Sequence, residues 1–305
     1  MSAGEQAVRL DGKVAIVTGA GRSLGRAYAL ALAEAGAAVV VNDVDAETAG
    51  QTVADIEAAG GRATAVVAPV GPTETADALV AAARDTFGRL AILVANAGVL
   101  RDRVLWKMSD EDFDLVVETH LRGSFTCARA AAVDMRERGE GGRIVLIGSP
   151  AGQYGSFGQT NYAAVKAGLV AMARTLSLEL ARAGVTANAV IPTALSPMTA
   201  TIPAYTQVYE DYVATGEIPT EYRRDHALGT PEDVAALIVW LASDAAAGVT
   251  GQAIGIGGDR LTLYSHPKVL RTMDAEGGWS AAGIARAWQD ELAPLAQASG
   301  PGAGE

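Results

Sequence analysis

The chain is poor in cysteine and aromatic residues, and it lacks a long uncharged apolar segment. It has a single cysteine, Cys127, and Phe, Trp and Tyr make up 5% of its 305 residues. A single cysteine excludes an intrachain disulfide, as is typical of proteins in a reducing compartment. The longest helical pattern, residues 163–180, contains Lys166, Arg174 and Glu179, so we expect no membrane-spanning helix. Because the first ten residues show no secretory signal pattern, we expect a cytoplasmic protein.

Basic residues are outnumbered by acidic ones. The sequence has 24 Lys and Arg against 35 Asp and Glu, a net charge of −11. Nucleic-acid binding depends on basic surfaces that attract phosphates, so we expect no nucleic-acid partner. His226 and His266 lack the spacing of metal ligands, and no metal site is predicted. Hydrophobic residues make up 50% of the chain, which is sufficient for the core of a large domain.

Short apolar runs alternate with longer helical patterns along the first 258 residues. The runs lack polar–apolar alternation, which predicts strands covered on both faces, as in a parallel sheet. Strands are predicted at residues 13–18, 38–42, 63–68, 91–95, 143–148, 186–191 and 252–256. Helices are predicted at residues 23–35, 46–59, 73–87, 110–138, 158–183 and 231–243. This order predicts one α/β domain over residues 1–258, a Rossmann-type doubly wound seven-stranded parallel sheet with helices on both faces.

Two stretches depart from this alternation. Residues 193–229 show no strand pattern, and a connection of this length is usually functional. We interpret it as a substrate loop, although aromatic residues also favour a subunit contact. Its tyrosines and basic residues are Tyr205, Tyr209, Tyr212, Tyr222, Arg223 and Arg224. Residues 259–305 form a C-terminal extension with a short helix after Ser280, which we expect to pack on the domain or across a subunit interface.

A glycine-rich turn follows the first predicted strand and opens the first predicted helix. Glycines allow a diphosphate to approach the backbone closely, and the helix N-terminus attracts its charge. The predicted cofactor-binding residues of this turn are Gly19, Gly21, Arg22, Ser23, Leu24 and Gly25. The third glycine comes one position later than in G-x-G-x-x-G. The alternative is a tight turn that binds no ligand.

An acidic residue, Asp43, follows the second predicted strand. A carboxylate at this place accepts hydrogen bonds from the adenosine ribose and repels a 2′-phosphate, which predicts NAD. Arg22 favours NADP instead, because a cation there would pair with the additional phosphate. Since a phosphate beside a carboxylate is unfavourable, we expect NAD and regard NADP as the less favoured cofactor. The alternative for Asp43 is a solvated loop residue.

Tyr162 and Lys166 lie four positions apart in a predicted helix and therefore share one face. A phenol has a pKa of about 10, and a neighbouring ammonium group favours its deprotonated form. Ser149 follows the fifth predicted strand. Each residue alone has an ordinary structural explanation. The three together, in this order and after a glycine turn, predict an acid/base site.

Over residues 10–258 these features resemble the short-chain dehydrogenase/reductase family. The elements that carry the resemblance are TGAGRSLG, Asn96-Ala97-Gly98, Ser149, Tyr162-x-x-x-Lys166 and Pro192. The resemblance implies an NAD(P)-dependent interconversion of a secondary alcohol and a ketone by a homodimer or homotetramer. It implies that Tyr162 exchanges the proton with the substrate, that Ser149 binds the substrate oxygen, and that Lys166 lowers the pKa of Tyr162 and holds the nicotinamide ribose. The residues implied to lie along the cofactor are Asn96, Ala97, Gly98 and Pro192.

Four positions depart from the family pattern: Ser23, Pro69, His120 and Thr193. Ser23 replaces the usual middle glycine of the turn. His120 stands where the family has a catalytic Asn, and it is the fourth candidate catalytic residue. Because histidine changes charge near neutrality, we expect a pH dependence that Asn would not produce. The alternative is a histidine that only packs against a neighbouring helix.

Four stretches indicate a narrower group within the family. NDVDAE, LRDRVLWKMSDEDFD, HLRGSF and FGQTNYAAVKAG are similar to short-chain 3-hydroxyacyl-CoA dehydrogenases, some of which oxidise 17β-hydroxysteroids. The expected substrate is therefore a hydrophobic 3-hydroxyacyl-CoA or a hydroxysteroid-like alcohol, with Arg223 and Arg224 near a CoA phosphate. One alternative is an NADPH-dependent 3-oxoacyl-carrier-protein or polyketide ketoreductase. The other is a cofactor-binding regulator without catalysis.

Overall fold

Eight strands form one sheet in the computed structural model, which describes residues 8–300. The strands are β1 (Val14–Thr18), β2 (Ala38–Asp43), β3 (Arg62–Val67), β4 (Ile92–Ala95), β5 (Gly142–Ile147), β6 (Val185–Pro192), β7 (Ala253–Gly257) and β8 (Arg260–Tyr264). Their order across the sheet is β3-β2-β1-β4-β5-β6-β7-β8. Because β1 to β7 run parallel, the predicted doubly wound parallel sheet is confirmed.

Helices cover both faces of the sheet. They are α1 (Ser23–Glu34), α2 (Ala46–Ala58), α3 (Thr73–Phe87), α4 (Asp110–Val116), α5 (Gly123–Arg138), α6 (Ala151–Tyr154), α7 (Thr160–Glu179), α8 (Pro203–Thr215), α9 (Thr220–Arg224), α10 (Pro231–Ala242) and α11 (Ala281–Ala287). The core on one face is formed with α1, α2 and α10, and the core on the other with α3, α5 and α7. Cys127 is buried in the second core. Within residues 8–300, no helix has both the length and the apolar character needed to cross a membrane.

Two predicted elements differ from the structure. The helix predicted over residues 110–138 is divided into α4 and α5 by a π turn at Val117–Arg122. Such a turn accommodates an extra residue in the helix and is frequent at functional sites. Residues 193–229, expected to be a loop, contain the helices α8 and α9. Pro203 at the first turn of α8 suits a helix start, since proline lacks the amide that would be unpaired there.

The sheet has one strand more than the predicted seven. β8 comes from the C-terminal extension and pairs antiparallel with β7. Gly257 pairs with Arg260, so the connection is a two-residue turn at Gly258 and Asp259, and Gly258 has φ of +51°. A Gly-Asp turn followed by Arg-Leu-Thr-Leu-Tyr is a recognisable hairpin pattern. The extension therefore begins inside the sheet.

The order of the strands places a crevice between β1 and β4. Connections from β1 lead outward through β2 to β3, whereas those from β4 lead outward through β5 to β7. Ligands of open α/β sheets bind outside the carboxyl ends of the strands at such a reversal. The residues that follow β1, β2, β4 and β5 are therefore the first candidates for a functional site.

Candidate active site

The glycine turn after β1 leads directly into α1. Gly19 has φ of +62°, and a side chain there would lie only 2.8 Å from the Cα of Ala97. Ser23, the first residue of α1, has φ of +49°. This left-handed conformation costs about 1–3 kcal/mol for a residue other than glycine. The backbone at Ser23 thus has the shape that the usual glycine would adopt, although the residue has changed.

The N-terminus of α1 is open. Arg22, which precedes the helix, makes no side-chain hydrogen bond to the first turn, and that turn has no acidic residue. By contrast, Asp45 caps α2 and Thr230 caps α10 with side-chain oxygens. The first amides of a helix lack intrahelical partners, and the helix dipole is positive there. An anionic diphosphate fits this uncapped end.

Asn96, directly after β4, holds the glycine turn in place. Its Nδ2 donates to the carbonyl oxygens of Thr18 at 2.9 Å and of Gly19 at 3.1 Å. The Oγ1 of Thr18 accepts hydrogen bonds from the amides of Asn96 and Ala97, each at 3.0 Å. The side-chain amide of Asn96 is thus bound to the protein's own backbone. Its contribution to a cofactor site is to fix the turn.

Asp43, the last residue of β2, is buried beside the same turn. Its Oδ2 accepts a hydrogen bond from the amide of Gly21 at 2.9 Å, and its Oδ1 accepts one from the amide of Asp45 at 3.2 Å. Arg22 is 64% exposed, and its guanidinium meets Asp45 at 3.5 Å. The end of β2 therefore carries two carboxylates and one loosely held cation.

Ser149, Tyr162 and Lys166 meet at the carboxyl end of β5. Tyr162 and Lys166 project from the first two turns of α7, and both are buried. The Nζ of Lys166 donates to the carbonyl oxygen of Ile147 at 2.6 Å and lies 5.4 Å from the centre of the Tyr162 ring. The Oγ of Ser149 accepts a hydrogen bond from the amide of Ala151 at 3.2 Å, and Ser149 lies close enough to Tyr162 to lower the pKa of its phenol.

Burial dominates the acid/base properties of these groups. The pKa of Tyr162 is raised to about 12, chiefly by burial; the neighbouring Ser149 opposes this shift and the charge of Asp102 adds to it. Burial lowers the pKa of Lys166 to about 7. The phenol is therefore protonated at neutral pH in the free protein. The activation of Tyr162 expected from the sequence requires Lys166 in its charged form.

His120 lies in the π turn and is buried. Its Nε2 is 2.8 Å from the carbonyl oxygen and 3.0 Å from the amide nitrogen of Val99, and its ring meets that of Tyr162 edge-on at 5.3 Å. A side chain at Gly98 would collide with this ring. Burial, aided by the charge of Lys166, lowers the pKa of His120 to about 3. The expectation that His120 changes charge near neutrality is therefore wrong. Among the described residues, its Nδ1 has no hydrogen-bond partner.

Asn161, which the sequence pattern did not single out, is fully buried and directly precedes Tyr162. Its Nδ2 donates to the carbonyl oxygens of Arg101 at 3.0 Å and of Asp112 at 3.4 Å. Its Oδ1 accepts a hydrogen bond from the amide of Tyr162 at 2.8 Å. Asn161 therefore ties the start of α7 to α4 and to the segment after β4. Its position directly before Tyr162 in NYAAVK is the sequence feature that could have indicated Asn161 as a site residue.

The same two segments are joined by further contacts. The amide of Arg103 donates to the carbonyl oxygen of Gly158 at 2.8 Å. The Nε2 of Gln159 donates to Asp102 at 2.8 Å. Both contacts lie just before α7, so the segment at residues 99–103 borders the catalytic helix along its first turn.

The predicted substrate loop is closed at its base. Ala194 and Gly229 form a bridge, and the amide of Leu195 donates to the carbonyl oxygen of Gly229 at 2.8 Å. Within the loop, the four tyrosines pack around a small apolar cluster of Leu195, Val208 and Leu228. Much of their aromatic surface is thus used inside the loop itself.

Arg223 is not available for a substrate phosphate. Its guanidinium binds Asp233 at 2.9 Å and Asp259 at 2.9 Å. The neighbouring Arg224 is exposed but faces Asp259 at 3.7 Å. Two carboxylates therefore neutralise the two cations. The prediction that Arg223 and Arg224 form a basic patch for a CoA phosphate is wrong. The pairs instead tie the substrate loop to α10 and to the turn between β7 and β8.

The remaining predicted residues lie on the same edge of the sheet. The glycine turn follows β1, Asp43 ends β2, Asn96 to Gly98 follow β4, and Pro192 ends β6. Since these strands are parallel, their carboxyl ends meet at one edge. The structure thus gathers the predicted cofactor and catalytic residues around one crevice.

Comparison with known proteins identifies the family. A family model described as short chain dehydrogenase matches residues 13–206. A hydroxyacyl-CoA dehydrogenase of Mycobacterium tuberculosis is 42% identical over 280 residues, which cover 88% of this chain and 84% of that protein. The chain belongs to the short-chain dehydrogenase family. A 3-oxoacyl-[acyl-carrier-protein] reductase of Synechocystis is also similar, with 41% identity over 82% of this chain and 97% of that protein.

Solved structures resemble this dehydrogenase over most of its length. A short chain dehydrogenase from Mycobacterium avium matches with a TM-score of 0.82 and 35% identity, over 97% of this chain and 99% of that one. A 7α-hydroxysteroid dehydrogenase complexed with NADH and 7-oxo glycochenodeoxycholic acid matches with a TM-score of 0.75 and 30% identity, over 85% of this chain and 98% of that one. The resemblance read from the motifs is thereby confirmed.

The first prediction concerns Asn161. In Asn161→Ala, two carbonyl oxygens lose their donor and Tyr162 loses its support, so we expect kcat to fall about 10-fold or more. Binding of the nicotinamide cofactor should stay within about 2-fold, because Asn161 does not contact the glycine turn. Steady-state kinetics and a cofactor titration measure both. Gln159→Ala, which removes an exposed contact at the same helix start, is the control. Equal losses in the two variants would contradict the assignment.

The second prediction concerns the burial of Lys166. Its pKa is about 7 in the folded protein and 10.5 as the reference value, so between these pH values the unfolded chain binds a proton that the folded protein lacks. This residue's contribution to stability therefore rises with pH over that interval. Lys166→Met removes the effect, so the variant should gain most in Tm near pH 6 and less near pH 9. Thermal unfolding of the cofactor-free protein measures this, and a gain independent of pH would refute it.

Proposed function

We propose that this protein is an NAD-dependent dehydrogenase that interconverts a secondary alcohol and a ketone on a 3-hydroxyacyl-CoA or a hydroxysteroid-like substrate. The observation that carries the proposal is the meeting of Ser149, Tyr162 and Lys166 beside the glycine turn. The similarity to a hydroxyacyl-CoA dehydrogenase supports the substrate class. In this proposal, residues 1–258 act as the catalytic and cofactor-binding domain.

In the oxidation direction, the hydroxyl of Ser149 binds the substrate oxygen. The phenol of Tyr162 first releases its own proton to solvent, and the resulting phenolate accepts the proton of the substrate hydroxyl. A bound nicotinamide dinucleotide supplies the hydride acceptor. The charged form of Lys166 stabilises the phenolate that accepts the proton. Because the pKa of Tyr162 is raised to about 12, chiefly by burial, proton transfer depends on this ammonium group. In the reduction direction, Tyr162 returns the proton to the carbonyl oxygen.

His120 acts as a neutral residue in this scheme. With Nε2 held at Val99, its buried Nδ1 is the free nitrogen of the ring. In the tautomer whose Nε2 donates to the carbonyl oxygen of Val99, Nδ1 is the acceptor nitrogen of the neutral ring, so we propose that Nδ1 orients a water molecule near Lys166. Its pKa of about 3 means that this role does not change across the physiological pH range.

The preference for NAD is supported by the charges at the end of β2. A 2′-phosphate would approach the carboxylates of Asp43 and Asp45, while Arg22 is the cation beside them. Asp43 is buried, so its charge is screened less by solvent than that of an exposed residue. The ribose hydroxyls of NAD are therefore better partners for this carboxylate than the 2′-phosphate of NADP.

A CoA substrate requires cations near the entrance of the site. With Arg223 neutralised, the candidates lie in the segment after β4. Arg103 and Lys107 are exposed, and within residues 8–300 neither forms an ion pair. The amide of Arg103 bonds to Gly158, four residues before Tyr162. We therefore propose that Arg103 and Lys107 meet the phosphates of CoA.

The test is a comparison of cofactors and substrates, with turnover followed by the absorbance of the reduced nicotinamide. We expect NAD to be preferred over NADP by about 10-fold or more in kcat/KM, with 3-hydroxyacyl-CoA esters among the substrates. Asp43→Asn keeps an acceptor for Gly21 but removes the charge, and it should narrow this preference. Arg103→Gln should raise KM for the CoA ester but not for the corresponding pantetheine thioester, which lacks the nucleotide phosphates.

Two outcomes would overturn the proposal. The absence of turnover with hydroxyacyl-CoA and hydroxysteroid panels would refute the substrate class. Preferred NADPH-dependent reduction of 3-oxoacyl thioesters would favour the ketoreductase function, which the similarity to the Synechocystis reductase and the presence of Arg22 support. The homodimer or homotetramer and the cytoplasmic location stay predictions, which light scattering and cell fractionation check.

A further inference from the structure

The part of the extension that follows β8 returns to its starting point. We call residues 265–299 the C-terminal strap. Where the strap begins, the ring of Tyr264 lies 6.1 Å from that of Tyr154, at 51°. Where it ends, the amide of Gly300 donates to the carbonyl oxygen of Tyr154 at 2.7 Å. Both ends of the strap therefore contact the same residue.

Tyr264 is held firmly at the first of these contacts. It pairs with Ala253 across the hairpin, and its ring crosses β7 at Gly255, where a side chain would lie 3.0 Å from the ring. It packs against the core formed with α3, α5 and α7, and burial raises its pKa to about 12. Two residues later, the Nε2 of His266 lies 3.0 Å from the carbonyl oxygen of Gly251. The start of the strap is thus anchored to the sheet.

The strap itself is not buried along its length. Trp279 is 42% exposed and Trp288 is 52% exposed, and an ion pair between Arg271 and Glu291 lies within the strap. General packing of the strap on the domain therefore does not account for the two contacts with Tyr154.

Tyr154 is the last residue of α6, which begins two residues after Ser149. The amide of Gly152 donates to the carbonyl oxygen of Ser149 at 3.0 Å, and the amide of Ala151 donates to its Oγ at 3.2 Å. A side chain at Gly152 would lie 3.0 Å from the Cβ of Lys166, so α6 packs directly on the catalytic helix. A displacement of Tyr154 would therefore be transmitted to Ser149.

We propose that the C-terminal strap determines substrate specificity by holding α6, and through it Ser149, with Tyr154 as the positioning residue. This inference rests on the proposed function, because it assigns Ser149 to the substrate oxygen. Because α6 is held at Ser149 and at Tyr154, the substrate side of the site keeps a single conformation. When the strap is released, α6 gains freedom, and large substrates lose more binding than small ones.

Two variants test the inference. Tyr264→Ala removes the first contact, and a chain that ends at residue 298 removes the second. In both, we expect kcat/KM for a long-chain hydroxyacyl-CoA to fall about 5-fold more than kcat/KM for a short-chain one, with NAD binding within about 2-fold of the parent. Leu261→Thr is the control, because Leu261 lies on the same strand, is 67% exposed and points to the face opposite Tyr264. Tyr264→Phe keeps the ring and removes the hydroxyl, so it shows which of the two groups makes the contact with Tyr154.

Hydrogen exchange provides a readout that needs no substrate. The amides at residues 151–155 should exchange faster in Tyr264→Ala and in the shortened chain, but not in Leu261→Thr. Unchanged exchange in both variants would refute the claim that the strap holds α6. Faster exchange with an equal loss of kcat/KM for all substrates would refute its role in specificity. If the parent shows no turnover, the proposed function fails, and the exchange rates still decide whether the strap holds α6.

Discussion

The hydrogen bonds of the segment after β4 hold the two halves of the site together. Asn96 binds the glycine turn, the backbone of Val99 contacts His120, and the carbonyl oxygen of Arg101 accepts a hydrogen bond from Asn161. An unpaired buried polar group costs about 1–3 kcal/mol, so the segment cannot shift without a penalty at several places. The segment thereby fixes the glycine turn, His120 and the start of the catalytic helix relative to one another.

The net charge of −11 would repel an anionic dinucleotide, so attraction has to be local. The uncapped N-terminus of α1 supplies it with backbone amides rather than with side-chain charge. Arg22 is the adjacent cation, and the carboxylate of Asp43 is buried beside the same turn. The pair Arg223 and Arg224 does not contribute, because acidic neighbours neutralise it. A chain of negative net charge can thus attract an anionic ligand through local backbone amides.

The parts of the molecule that local patterns determine were predictable. Apolar runs located the seven parallel strands, and the i, i+4 spacing located Tyr162 and Lys166. β8 was not predicted, although its Gly-Asp hairpin pattern is local, because the alternation of strands and helices ends at β7. The pKa of His120 was not predictable, since its burial depends on the π turn and on contacts made only after folding. The partners of Arg223 likewise come from distant parts of the chain.

The central claim is that Tyr162 exchanges the proton with the substrate at this site. The most direct test compares turnover of Tyr162→Phe with that of the parent enzyme, using NAD and a 3-hydroxyacyl-CoA, after a titration has shown that the variant still binds NAD. A positioned acid/base contributes about 10²–10⁴-fold to rate, so we expect a loss in kcat of this size. Turnover equal to that of the parent enzyme would contradict the account, because the reactive proton would then be held by another group.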